Sequence, residues 1–256
     1  MIFKIGDLVT RNSHNNDLLF RIKSINNDNC VLEGVNIRLI ADSLISDLNR
    51  ANKVEDDIEF LKRIEPNKID RDDYFYLPGK ILHIDSDEDY LNRCMEYYKK
   101  SSILAKGILE SEADMPFKIN SLLDKYRPDI LVITGHDAYN KNMDKLDINS
   151  YKNSSYFVNS INEARKYEKS HEKLIIIAGG CQSNYEALIK AGANFASSPK
   201  RVNIHALDPA IIASTLSLSD ISEDIDLKKV LDKTKYGSDG IGGIKTKGTM
   251  YIGYPR

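Results

Sequence analysis

The N-terminal residues carry short apolar runs that are separated by polar turn clusters. The turns are rich in asparagine, aspartate and glycine, as in Asn26–Asn29. Apolar runs of this length between such turns are typical of antiparallel strands. The predicted strands are Asp7–Arg11, Leu18–Ile25, Cys30–Leu32 and Ile37–Ile40. The pattern therefore predicts a small SH3-like β-barrel over residues 1–48.

The next segment, residues 49–78, is charged and contains few apolar positions. It includes Glu55-Asp56-Asp57 and Arg71-Asp72-Asp73. Runs of this kind favour a solvated helix and a linker, with a domain boundary near Pro78-Gly79. Because it also contains Lys62-Arg63, the segment is a predicted autolysis region if the chain is a peptidase that cuts at basic residues.

Residues 79–256 alternate between two apolar patterns, compact runs and stripes at helical spacing. Strands are predicted at Lys80–Ile84, Gly107–Leu109, Asp129–His136, Leu174–Ala178 and Asn194–Ala196. Helices are predicted over 87–104, 119–126, 157–164, 185–191, 208–215 and 227–231. The glycine-rich stretch Gly237–Gly243 is predicted to be a flexible turn. Alternating strands and helices predict a parallel α/β sheet flanked by helices.

Composition and charge exclude several classes of function. The 256 residues include 36 basic and 38 acidic side chains, which gives a formal net charge of −2 and disfavours a nucleic-acid or membrane surface. No signal peptide is predicted, and no apolar stretch approaches the roughly 18 residues that span a bilayer. Cys30, Cys94 and Cys181 show no paired spacing, so neither disulfides, a metal site nor a cofactor is predicted.

Two chemically reactive residues follow predicted strands. His136 comes after Ile130–Gly135, and Cys181 comes after Leu174–Gly180, 45 positions further along the chain. Because the carboxyl ends of parallel strands meet at one edge of a sheet, we expect the two residues to lie together. A helix N-terminus next to Cys181 would favour its thiolate, and His136 would act as its base.

Backbone groups of Gly180 and Gly135 are predicted to line the site that holds the oxyanion. His205 is an alternative base, because it follows the cysteine in the segment Ile204–Pro209. The structural alternative is that Cys181 is a packed small residue and His136 a loop histidine with satisfied hydrogen bonds.

The order of histidine and cysteine resembles that of caspase-like cysteine peptidases, in which one hydrophobic block ends in His-Gly and a second ends in the nucleophilic cysteine. The chain departs from that pattern, because Asp137 follows the histidine and Gly179-Gly180 precedes the cysteine. The resemblance implies a caspase-like sheet.

Longer segments resemble the YabG family of sporulation-specific peptidases from endospore-forming bacteria. These segments are IGDLVTR, LFRI, LVITGHDA, YKNSSYFVNSINEAR, AGGCQSNYEALIKAGANFASSPKRVNIHALDP and DGIGGIKTKGT. The resemblance implies a cysteine endopeptidase of the mother cell and spore coat that processes coat and cortex-associated proteins after arginine. It also implies that Cys181 is the nucleophile and His136 the histidine.

Cleavage after arginine requires a carboxylate in the substrate site. The candidates on predicted loops are Asp137, Asp208 and Asp239, each of which also fits a turn or a helix cap.

Two other functions are compatible with parts of the sequence. The Gly179-Gly180 turn before a helix is also typical of phosphate-binding α/β enzymes, although about 250 residues are usual for a complete barrel of that type. A noncatalytic coat scaffold is the other alternative.

Overall fold

The computed structural model describes residues 3–51 and 74–255. The chain divides into two compact units, Met1–Arg63 and Ile64–Arg256. The three-part division into residues 1–48, 49–78 and 79–256 stays a prediction. The predicted charged helix and the basic residues of the predicted autolysis region lie outside the described residues.

The described part of the N-terminal unit is an antiparallel β-sheet in the order β4-β3-β2-β1-β5. Its strands are β1 (Leu8–Arg11), β2 (Phe20–Asn26), β3 (Asn29–Gly34), β4 (Ile40–Leu44) and β5 (Leu48–Arg50). Alternate side chains of β2 and β3 are buried, among them Phe20, Ile22, Cys30 and Leu32. The predicted antiparallel sheet is confirmed.

One predicted strand in this unit is displaced. The expected strand Ile37–Ile40 shares Ile40 with β4, which pairs antiparallel with β3. Ile37 itself forms a β-bridge. In the intervening turn, a side chain at Gly34 would collide with the carbonyl oxygen of Ile37.

The C-terminal unit contains a mostly parallel sheet of six strands in the order β12-β11-β10-β9-β7-β8. The strands are β7 (Ile81–Asp85), β8 (Ala105–Leu109), β9 (Ile130–Thr134), β10 (Ile175–Gly179), β11 (Phe195–Ser197) and β12 (Ile241–Gly243). The central strands β7, β9 and β10 are buried at every position. Burial on both faces explains why their sequences are mostly apolar.

Helices cover both faces of this sheet. They are α1 (Glu88–Lys100), α2 (Met115–Tyr126), α3 (Ser154–Tyr167), α4 (Tyr185–Ala191), α5 (Asp208–Ser217), α6 (Leu227–Leu231) and α7 (Gly237–Gly240). Side chains of α2, α3 and α4 pack with Leu82, Ile133 and Ile176 in one core. Helices α1 and α5 pack on the central strands and on each other. The predicted α/β sheet flanked by helices is confirmed.

The C-terminal part of the sheet differs from the prediction of a flexible turn. Residues 237–243 form α7 and then β12, which pairs antiparallel with β11. Gly243 permits this pairing, because a side chain there would collide with the ring of Phe195. Gly242 and Gly243 are therefore required for close packing of this strand, against Tyr185 and Phe195.

A separate two-stranded antiparallel sheet joins β6 (Phe75–Leu77) to β13 (Tyr251–Gly253). Neither strand was predicted. Within the described ranges, no helix has the length and apolar character needed to cross a membrane.

Candidate active site

The register of two central strands brings His136 and Cys181 to the same edge of the sheet. Thr134 at the end of β9 pairs with Gly179 at the end of β10. His136 and Cys181 each lie two positions beyond these paired residues. Both residues therefore follow adjacent parallel strands at the edge where ligands bind in α/β sheets.

Gly180 allows the loops after β9 and β10 to touch. A Cβ atom at residue 180 would collide with the carbonyl oxygen of Gly135 and would lie 3.3 Å from the amide nitrogen of Asp137. Gly179 has a φ of +110°, which side-chain-bearing residues rarely adopt. Gly180 is thus required by its close contact with the neighbouring loop, and Gly179 by its backbone conformation.

Cys181 is buried in the turn between β10 and α4. Its Sγ accepts a hydrogen bond from the amide of Ile204 at 3.3 Å and lies 3.8 Å from the carbonyl oxygen of the same residue. Helix α4 starts only at Tyr185, with Asn184 as its N-cap. The sulfur therefore has polar backbone neighbours, and the residue precedes the helix by a full turn.

The turn that holds Cys181 has an unusual backbone. Gln182 and Ser198 both have positive φ angles, of 60° and 62°. The amide of Gln182 donates to the hydroxyl of Ser198 at 2.9 Å, which fixes the turn against the segment after β11. Non-glycine residues in this region are energetically strained and are concentrated at functional sites.

The amide groups of the turn are partly used by the protein itself. The amide of Gly180 donates to the Ser183 hydroxyl at 2.9 Å. An oxyanion site at this position must therefore rely on other donors, such as the amide of Cys181.

Several hydrogen bonds hold His136 in place. Its amide donates to Oε1 of Glu112 at 2.8 Å, and its carbonyl accepts from Nδ2 of Asn153 at 2.8 Å. Its Nε2 lies 3.1 Å from Oδ2 of Asp87. Its Nδ1 is buried and has no hydrogen-bond partner among the described residues.

Asp137 connects the loop after β9 to the start of α3 and to the turn after β10. Its carboxylate accepts hydrogen bonds from the amides of Ala138 and Asn153 and from the hydroxyls of Ser154 and Ser183. Burial raises the pKa of the Asp137 carboxyl, while these hydrogen bonds lower it. Its assignment as a substrate-binding residue stays a prediction, and its contacts indicate a structural role in aligning the two loops.

Replacement of Asp137 by alanine is expected to destabilise the protein by about 2–5 kcal/mol, because four donors, two of them in buried hydrogen bonds, would lose their acceptor. The melting temperature should fall by roughly 5–15 °C for a chain of this size. Thermal unfolding followed by circular dichroism measures the change. An unchanged melting temperature with lost selectivity for arginine would instead assign Asp137 to substrate binding.

The remaining predicted residues lie at different places. Asp208 is buried at the first turn of α5 and accepts from the amides of His205 and Lys235. Nδ1 of His205 accepts from the amide of Leu207 at 3.2 Å. Asp239 is exposed on α7.

Sequence reasoning missed a group of buried polar residues on β7 and β9. Nε2 of His83 and Oδ2 of Asp85 both lie 2.8 Å from Oγ1 of Thr134, while Nδ1 of His83 lies 2.9 Å from the Tyr98 hydroxyl. The sequence signal that could have identified this group is the presence of polar residues within otherwise apolar strands. Asp87 is the N-cap of α1, a role that already accounts for its presence in the sequence.

Comparison with known proteins identifies the family. The model of the family described as YabG peptidase U57 matches residues 4–60 and 53–255. The chain is also 43% identical over 286 aligned residues to the sporulation-specific protease YabG of Bacillus subtilis (strain 168), covering 100% of this chain and 99% of the relative.

The chain belongs to the YabG peptidase family. The family resemblance inferred from the sequence is thereby confirmed, and family membership supports a protease that acts on protein substrates. No solved structure matches the chain.

Proposed function

We propose that this chain is a sporulation-specific cysteine endopeptidase, with Cys181 as the nucleophile and His136 as its base. The observation that carries the proposal is the pairing of Thr134 with Gly179, because it sets both residues at equivalent positions after adjacent strands. The relative from Bacillus subtilis is named as a sporulation-specific protease, which supports the biological setting. The proposed substrates are proteins of the spore coat and cortex, and the proposed locations are the mother cell and the coat.

The fold details belong to the same proposal. A histidine after one central strand and a cysteine after the neighbouring strand give the arrangement expected of a caspase-like sheet. For the N-terminal unit, the antiparallel order β4-β3-β2-β1-β5 supports an SH3-like barrel that recruits substrates or docks to the coat.

The proposed reaction has two stages. His136 takes the proton of the Cys181 thiol, and the sulfur attacks the carbonyl carbon of the substrate residue. The tetrahedral oxyanion collapses, His136 gives the proton to the departing amine, and a thioester remains on Cys181. Water then attacks the thioester with His136 as base, which releases the acid and regenerates the thiol. No metal or cofactor takes part in this scheme.

Of the three aspartates predicted to recognise arginine, Asp208 is favoured. It is held by the amide of His205, and the amide of the preceding residue, Ile204, contacts the Cys181 sulfur. Asp239 is exposed, and the carboxylate of Asp137 already accepts four hydrogen bonds. Asp208 is therefore on the segment that contacts the reacting sulfur, and its carboxylate accepts from the amides of His205 and Lys235.

Replacement of Asp208 by asparagine is expected to lower kcat/KM for an arginine peptide by about 30-fold or more, because a charged hydrogen bond in a desolvated site would be lost. The matched peptide with citrulline, a neutral isostere of arginine, should change by less than about threefold. Equal losses for both peptides would show that Asp208 has only a structural role.

The phosphate-binding alternative is less well supported by the geometry. Its ligand would need the amides of the turn after β10, but those of Gly180 and Gln182 donate to the hydroxyls of Ser183 and Ser198. A noncatalytic coat scaffold would leave the matched positions of His136 and Cys181 without a role.

The proposal is tested with the full-length chain and an arginine-containing protein as substrate. We expect fragments that end in arginine, and we expect iodoacetamide to stop their formation. The reagent also measures access to Cys181, which is buried in the structure. Cleavage that continues after Cys181 is fully alkylated would overturn the proposal, as would thermal stabilisation by inorganic phosphate without any proteolysis.

A further inference from the structure

We propose that Asp87 is a positioning residue that fixes the orientation and the protonated nitrogen of His136. This inference rests on the proposed function, in which His136 is the base for Cys181. Asp87 would be a third residue of the site beside Cys181 and His136, and it follows a different strand, β7.

The carboxylate of Asp87 is itself held firmly. The residue is the N-cap of α1, where its Oδ1 accepts from the amide of Tyr90 at 3.1 Å. Its own amide donates to Oδ1 of Asp85 at 3.1 Å. Only 6% of the residue is exposed, and a helix N-terminus stabilises negative charge. Asp87 is therefore a fixed, buried acceptor.

The second carboxylate oxygen of Asp87 is directed at the imidazole. Oδ2 lies 3.1 Å from Nε2 of His136, across 49 positions of sequence. An ionised carboxylate only accepts hydrogen bonds, so Nε2 must carry the proton. In the neutral imidazole, Nδ1 is then the unprotonated nitrogen, which is the form that can take a proton.

The environment of the other ring nitrogen agrees with this assignment. Nδ1 of His136 is buried and has no hydrogen-bond partner among the residues that the structure describes. A buried acceptor without a partner is uncommon in folded proteins and is often explained by a catalytic role. The Cys181 thiol, at the equivalent position after the adjacent strand, is the donor that the proposed reaction requires.

Other residues bind the backbone of His136, whereas Asp87 contacts its imidazole ring. Glu112 and Asn153 bind the amide and the carbonyl of His136, while the ring of Tyr90 lies 5.8 Å from the imidazole, centroid to centroid. None of these three groups determines which ring nitrogen carries the proton. Asp87 determines it, because its Oδ2 accepts a hydrogen bond from Nε2.

The test is Asp87→Asn in the full-length chain. Asparagine caps helices as well as aspartate does, so the fold and α1 should be retained. Its amide group can donate to Nε2 and so stabilise the wrong tautomer, an effect that lowers kcat by about 10⁴-fold in a serine protease triad. We expect kcat for an arginine peptide to fall by about 10²–10⁴-fold while KM changes by less than about threefold. Alkylation of Cys181 at neutral pH should slow in parallel.

Asp226→Asn is the matched control, because Asp226 caps α6 through the amide of Lys229 and is exposed. Its kcat should equal that of the unmodified chain. If Asp87→Asn proves unstable, Asp87→Ser supplies a second capping residue without a carboxylate and carries the same expectation. A kcat within about threefold of the unmodified chain in a folded Asp87 variant would overturn the positioning role. Activity that survives in Cys181→Ala would instead overturn the proposed function.

Discussion

Cys181→Ala is expected to abolish cleavage, with kcat at least about 10⁴-fold below that of the unmodified chain, because the atom that forms the thioester is absent. Removal of one buried sulfur, which accepts a hydrogen bond from the amide of Ile204, should lower stability by about 1–2 kcal/mol. Gel analysis of an arginine-containing protein substrate measures the loss, and circular dichroism confirms that the variant is folded.

Cys30→Ala is the control for this variant. Cys30 is a buried thiol of the N-terminal unit, and burial raises its pKa. Its replacement should leave kcat unchanged, since a raised pKa makes a thiol less reactive at neutral pH. Normal turnover by Cys181→Ala would remove Cys181 from the mechanism. Complete inactivity of folded Cys30→Ala would contradict the assignment of Cys181 alone as the reactive thiol.

His136→Ala is expected to lower kcat by about 10²–10⁴-fold, the range that general acid–base groups contribute. The thiol would then lose both the base that activates it and the acid that protonates the departing amine. Steady-state kinetics with an arginine peptide measures the effect, and KM should change much less than kcat.

The competing assignment, His205 as base, is tested with His205→Ala. Nδ1 of His205 accepts from the amide of Leu207, so its loss should lower stability and leave kcat per folded molecule within about tenfold. A larger fall in kcat for His205→Ala than for His136→Ala would reverse the assignment.

The sequence was sufficient where one local rule determined the structure. The apolar runs around Val132 and Ile177 predicted two central strands to within a residue or two, because a strand buried on both faces is mostly apolar. Gly192 ended α4 as expected, since it adopts the left-handed conformation at the helix C-terminus.

The sequence was misleading where glycine packs against a neighbour that is distant in the chain. Gly242 and Gly243 suggested a turn, yet they belong to β12, where side chains would collide with Tyr185 and Phe195. The strand predicted at Ile37–Ile40 is displaced to Ile40–Leu44, after a turn in which Gly34 packs against the carbonyl oxygen of Ile37.

For the candidate site, too, the sequence predicted one part and missed another. Placement of His136 and Cys181 at one sheet edge follows from strand topology, which alternating strands and helices indicate. The contact of Asp87 with His136 spans 49 positions and is made by a residue whose capping role already explains its presence in the sequence. Similarly, the four donors to Asp137 become neighbours only when two loops meet.

The most direct measurement of the central claim is covalent labelling by a peptide chloromethyl ketone that ends in arginine, followed by peptide mass spectrometry of the full-length chain. The probe carbon forms a thioether with the reacting sulfur, and chloride leaves. The account predicts one adduct, on Cys181, with loss of activity in proportion to labelling and with Cys30 and Cys94 unmodified. Complete inactivation with the adduct on another residue, or full activity after Cys181 is labelled, would contradict it.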